Sequence, residues 1–175
     1  MKKTKTLLAF TLILMLCLTA CKKPAPTSSV SEKLEIYDIA GTEWNARDDN
    51  SYLVLCEDGT YIWAKEEDVL DDNYFGGTYL FYRGEEALAF VTTELATYGF
   101  TESTMNEFIA SHEEYSMNNF VCLTLLYETI ILNGEELLGR PVAVPLYGMI
   151  LENDTELYLL DPFNSDKYYI FIKQV

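Results

Sequence analysis

Residues 51–65 read SYLVLCEDGTYIWAK, two apolar-rich runs on either side of Glu57-Asp58-Gly59. Asp-Gly at such a break predicts a β-hairpin, because glycine accepts the positive φ that the turn requires. Strands at Ser51–Cys56 and Thr60–Lys65 would flank it. Upstream, Thr42–Ala46 (TEWNA) predicts a first strand, followed by a turn at Asp48-Asp49-Asn50. Downstream, the polar stretch EEDVLDDN leads into a strand from about Tyr74 to Arg83. Strand patterning resumes at Asn119–Leu132, where Asn133-Gly134 marks a tight turn. Val142–Leu151, Glu156–Leu160 and Tyr168–Lys173 complete the series.

The series is broken once. Glu85–Leu95 carries glutamates in its first turn and Leu88, Val91 and Leu95 on one stripe, a helical period. Glu102–Ser111 repeats it with Met105, Phe108 and Ile109, and Thr104 and Glu107 are spaced as a capping box. Sequential hairpins without βαβ alternation predict a mainly β, α+β fold: an antiparallel sheet of about eight strands, the helical pair inserted between the fourth and fifth. Closure into a barrel is favoured, because it removes the edges that such apolar strands would expose. Several strands are apolar on both faces, so one face fills an interior while the helices or tyrosine rings cover the other.

The first 33 residues belong to something else. Lys2, Lys3 and Lys5 precede an apolar run from Leu7 to Cys17, and Thr19 and Ala20 follow it. This is the pattern of a secretory signal and is too short for a permanent span. Leu18-Thr19-Ala20-Cys21 resembles the lipobox of bacterial lipoproteins, which implies cleavage after residue 20 and acylation of Cys21. Two or three acyl chains hold a protein stably, at roughly 0.8 kcal/mol per buried methylene. Residues 22–33, KKPAPTSSVSEK, read as a flexible tether, and the folded domain spans residues 34–175. The expected location is the extracytoplasmic face of the cell membrane, with the anchor as the membrane contact.

Past residue 20 the chain keeps nine of its 12 Lys and Arg and all 28 Asp and Glu, a formal charge of 9 − 28 = −19. A surface this acidic repels phosphate backbones and excludes nucleic acid as a partner. Cys56 and Cys122 remain inside the domain, either as two small buried thiols or, in an oxidising compartment, as one disulfide. Two cysteines with the single His112 make no familiar zinc site. His112 itself reads as a structural residue closing the second helix. The paired carboxylates Asp48-Asp49, Glu66-Glu67, Asp71-Asp72 and Glu113-Glu114 lack the ligand alternation of a calcium loop. No metal or cofactor is expected, and no nucleophile or phosphate-loop motif assigns a catalytic residue.

Gly41-Thr42-Glu43-Trp44 resembles the G-x-W signature of lipocalins, and the Asp58–Tyr61 and Asn73–Tyr79 stretches resemble lipocalin-like domains of bacterial lipoproteins. The resemblance covers roughly residues 41–175. It implies that Trp44 plugs one barrel end with Lys173 packed across it. Lipocalins carry their helix near the chain end, so the inserted helical pair is a departure. Trp63, Tyr61, Tyr79, Phe81, Tyr147 and Tyr169 lie on predicted strands as barrel core or as the lining of an apolar cup. The expected role is a non-enzymatic binding module for a small hydrophobic ligand or an envelope protein. The alternatives are a structural or interaction lipoprotein with a filled barrel, and a carboxylate-dependent glycan hydrolase.

Overall fold

The computed structural model describes residues 39–64, 72–137 and 140–175. The signal segment, Cys21, the tether and residues 34–38 lie outside the described residues, as do Glu66, Glu67 and Asp71. The strands are β1 (Thr42–Ala46), β2 (Tyr52–Leu55), β3 (Thr60–Ala64), β4 (Asn73–Arg83), β5 (Phe120–Leu132), β6 (Glu135–Glu136), β7 (Val142–Leu151), β8 (Glu156–Leu160) and β9 (Tyr168–Lys173). Helices α1 (Glu85–Glu94) and α2 (Glu102–Ile109) both fall between β4 and β5.

Every pairing among these strands is antiparallel. β9 returns to β1, and β4 meets β5 across the helical insertion, so eight strands close in the order β1-β2-β3-β4-β5-β7-β8-β9. This is the mainly β barrel with an inserted helical pair that the patterning predicts. The two-residue β6, which the patterning does not foresee, hangs on β5 beyond the Asn133-Gly134 turn. Both turn residues have positive φ, 53° and 76°, as a two-residue hairpin of this hand demands. In the Glu57–Gly59 loop, Gly59 sits at φ 83° and the carboxylate of Asp58 accepts from both the amide and the hydroxyl of Thr60. Those two bonds lower the Asp58 pKa.

Alternation sorts side chains into two cores. Trp44, Leu53, Leu55, Tyr61, Trp63, Phe81, Leu123, Leu125, Leu146, Leu157, Leu159 and Phe171 fill the barrel interior. The outer faces of β4, β5 and β7 carry a second cluster: Phe120, Cys122 and Met149 pack with Ala87, Leu88 and Val91 of α1 and Met105 of α2. The helices therefore cover the apolar outer faces of β5 and β7, whereas the outward residues of β9, Tyr168, Ile170 and Ile172, lie outside that cluster and are exposed or half-buried. The capping box of α2 begins one turn earlier than the spacing suggests. Thr101 is the N-cap and Thr104 reciprocates, because Thr101 has the extended backbone of a cap while Thr104 is already helical.

Closing so narrow a barrel takes local irregularity. Gly76 pairs with Thr129 and Gly77 with Tyr127, leaving Glu128 as an unpaired bulge. The bulge switches the inward parity of β5: Val121, Leu123, Leu125 and Tyr127 point in, and beyond it Ile130 stands opposite inward-facing Phe75. A strict two-residue period would have turned the end of β5 inside out.

The β7–β8 turn stores strain, since Glu152, Asn153 and Asp154 all have positive φ, at 53°, 57° and 64°. A left-handed conformation costs a residue with a Cβ roughly 1 kcal/mol, most for a residue such as glutamate that lacks the local bonding of Asn and Asp. We expect Glu152→Gly to stabilise the fold by up to about 1 kcal/mol, read as a raised urea midpoint at unchanged slope.

Candidate functional site

The two ends of the barrel differ. At one end Trp44 is fully buried, its indole Nε1 donating to Thr42 Oγ1 at 2.7 Å, while the Thr42 hydroxyl donates to the Ile39 carbonyl. Trp44 and Lys173 are partners in the β1–β9 register, and Lys173 Nζ lies 5.9 Å from the Trp44 ring centroid. Outside them Arg83 forms a two-bond ion pair with Asp154, at 2.9 and 3.1 Å, and donates to the Asn118 carbonyl. Only about 100 Å³ remains free here, between Ile39, Trp44, Phe81 and Ile150.

The opposite end opens into a cup of about 340 Å³. Its wall is aromatic: Trp63 from β3, Phe75 from β4, Tyr127 from β5 and Tyr169 from β9. Trp63 meets Tyr169 edge-on at 4.8 Å between centroids and Phe75 at 6.3 Å, and Phe75 meets Tyr127 at 5.4 Å. Ser51, Asn73, Asp49, Leu132 and Lys167 line its mouth. These groups arrive there because β1–β2, β3–β4, β5–β6 and β8–β9 all turn at this end. Lys167 Nζ sits 5.1 Å above the Tyr169 ring centroid. Bonding to Tyr169 raises the Lys167 pKa, and the carboxylates of Asp161 and Asp49 add to that. Asp49 Oδ1 accepts the Ser51 amide at 2.7 Å.

Two buried side-chain polar atoms have no hydrogen-bond partner among the described residues: Ser51 Oγ at the mouth and the Tyr61 hydroxyl below it. An unpartnered buried hydroxyl costs about 1–3 kcal/mol, and Ser51, which lines the cup, marks a place where a ligand atom would be welcome. Burial pushes the phenols of Tyr61 and Tyr127 far above the ordinary tyrosine range, with Tyr127 and Glu128 adding for Tyr61, and Tyr169 and Asp161 for Tyr127. Unfolded tyrosines release their protons near pH 10. The native state holds those protons, so this contribution is complete below pH 10 and shrinks as pH rises above it. We expect the urea midpoint to fall between pH 9.5 and 11, and Tyr61→Phe to flatten that fall.

The structure separates the six aromatic candidates. Trp63 and Tyr169 line the cup. Tyr61 lies beneath it, 1% exposed, its ring 6.1 Å from Tyr127. Tyr79 is tied under the β2–β3 hairpin, its hydroxyl donating to the Cys56 carbonyl at 3.0 Å. Phe81 faces the small space at the Trp44 end. Tyr147 is not inside the barrel at all: inward-facing Leu146 turns it outward, under the helices against Phe100 and Phe108. Phe75, Tyr127, Ser51 and Lys167 are the site residues that the sequence reading missed. The bulge at Glu128 sets which β5 residues face in, and Lys167 sits in a loop without periodicity.

Cys56 and Cys122 are free thiols, so the disulfide alternative is not realised. β3 and β4 intervene between the two cysteines, and Cys122 points outward among the helix-facing residues. A disulfide needs Cα atoms within about 7 Å. Burial pushes the Cys122 thiol up to about 12. His112 does not bond the α2 carbonyls; Ser111 Oγ donates to the Phe108 carbonyl instead, and His112 lies beside Tyr115 and Glu114. Among the described residues no three His, Cys, Asp or Glu side chains gather around a metal-sized space. No helix among them is long and apolar enough to cross a membrane.

The fold and its cup define a class: a closed antiparallel β-barrel of eight strands, plugged at one end and open at the other. No protein-family model, no curated protein and no solved structure matches the chain.

Proposed function

We propose that this protein is an extracytoplasmic lipoprotein, anchored through Cys21, whose barrel binds a small, largely apolar molecule or an envelope partner without transforming it. The observation that carries the reading is the cup itself. About 340 Å³ of space walled by four aromatic rings, with few polar groups at its mouth, has the composition of a small-molecule site and lies at the lower end of the usual size range. Among the described residues Asp49 is the carboxylate in its lining, and its Oδ1 accepts the Ser51 amide.

Native mass spectrometry of the full chain, purified from its own cells, tests the binding role. It is expected to find a non-covalent organic species that dissociates on mild activation, whereas repeated recovery of the bare polypeptide contradicts the reading. The anchor is tested separately: metabolic labelling with palmitate is expected to mark the protein and to fail in Cys21→Ser. The densely filled interior favours a second reading, a structural lipoprotein that uses its surface. Bare protein that nonetheless co-purifies with one stoichiometric envelope protein would select it.

A further inference from the structure

Below the cup the barrel is full. Tyr61 and Phe171 are 1% and 0% exposed, and Phe171 packs edge-on against Trp63 at 5.7 Å. A long acyl chain has nowhere to descend, so an occupant must be compact. Its walls would be ring faces and edges, which favour another ring at centroid separations of roughly 4.5–7 Å.

Among the described residues the polar groups concentrate at the mouth: three of them offer donors, and Asp49 keeps one free carboxylate oxygen. Lys167 offers an ammonium. Ser51 Oγ, in a residue 8% exposed, has no partner among the described residues. Asn73 spends its Oδ1 on the Asn133 amide at 3.0 Å, which leaves its side-chain N–H groups. Of the acceptors, one oxygen of Asp49 is already taken by the Ser51 amide.

We propose, building on the binding-module reading, that the cup takes a compact aromatic carboxylate. Its ring sits among Trp63, Phe75, Tyr127 and Tyr169, and its carboxylate accepts from Lys167 and Ser51. Asp49 at the mouth and Asp161 near Lys167 oppose an anion at close range, while charges beyond about 8 Å are screened by salt. A direct charge-assisted bond is roughly twice as strong as a neutral one. Lys167 therefore selects for the anion locally.

The test is a titration of the ¹⁵N-labelled full chain in lipid nanodiscs with 3-phenylpropionate, 3-phenylpropan-1-ol, 3-phenylpropylamine and laurate. The indole N–H signal of Trp63 reports the cup, and that of Trp44, at the plugged end, is the internal control. The acid is expected to shift Trp63 alone and to bind about tenfold more tightly than the alcohol. Lys167→Met should remove that tenfold advantage, so that acid and alcohol bind alike. An amine that binds as well as the acid, laurate that binds more tightly, or an acid indifferent to Lys167→Met would overturn the ligand class while leaving a binding cup in place. If none of the four moves Trp63, the binding-module reading fails with it.

Discussion

Gly148→Ala is expected to cost the barrel about 3 kcal/mol or more, a large share of the 5–15 kcal/mol that holds an ordinary domain together. A Cβ at Gly148 would stand 1.9 Å from the Tyr158 carbonyl oxygen and 2.9 Å from its carbon, and both are backbone atoms of the adjacent strand. No rotamer change relieves that contact. β7 and β8 would have to separate, breaking the ladder between Tyr147–Leu151 and Glu156–Leu160. Gly59→Ala is the instructive contrast. It stands in open space, so its cost is only the left-handed φ of 83°, about 1–2 kcal/mol. Equilibrium urea unfolding of the two variants distinguishes close approach from turn conformation as the reason for a glycine. Equal losses would mean that the β7–β8 contact is not as tight as described.

Trp44→Ala is the second large effect, at about 3–5 kcal/mol. The ring is wholly buried among Ile39, Leu53 and the neighbouring strands, so its removal leaves a cavity that close-packed walls cannot fill. It also takes away the Nε1 bond to Thr42 and the surface on which Lys173 rests. Trp44→Phe keeps most of the volume and loses the bond, so a cost of only about 1–2 kcal/mol is expected. Thermal unfolding of both variants checks the order. A Trp44→Ala protein as stable as the parent would mean that this end is not a packed plug.

How much of this could be read from residues alone depends on the signal each element carries. β1, β7, β8 and β9 fall where the alternation of TEWNA, VAVPLYGMIL, ELYLL and YYIFIK puts them. The Asp58-Gly59 and Asn133-Gly134 turns carry their own conformational demand, and both are hairpins. Closure follows from chemistry: strands apolar on both faces need an interior, and the helices cover the outer faces of β5 and β7 but not that of β9. The site was less legible because it depends on parity across irregularities. Tyr147 and Leu146 are neighbours of equal apolar character, and only the register with β5 and β8 says which points inward. Tyr127 faces the cup because Glu128 bulges, an event fixed by Gly77, where a Cβ would lie 1.9 Å from the Leu126 carbonyl oxygen. Patterning puts Trp63 and Tyr169 on strands; their meeting at 4.8 Å across the closed seam is tertiary.

The two ends of the barrel are unlike, one packed shut and one open to solvent. The most direct measurement is acrylamide quenching of tryptophan fluorescence in two single-tryptophan proteins, Trp44→Phe and Trp63→Phe. The tryptophan left at position 63 is expected to be quenched several times more efficiently than the one left at position 44. Equal quenching, or easier access to Trp44, would contradict it.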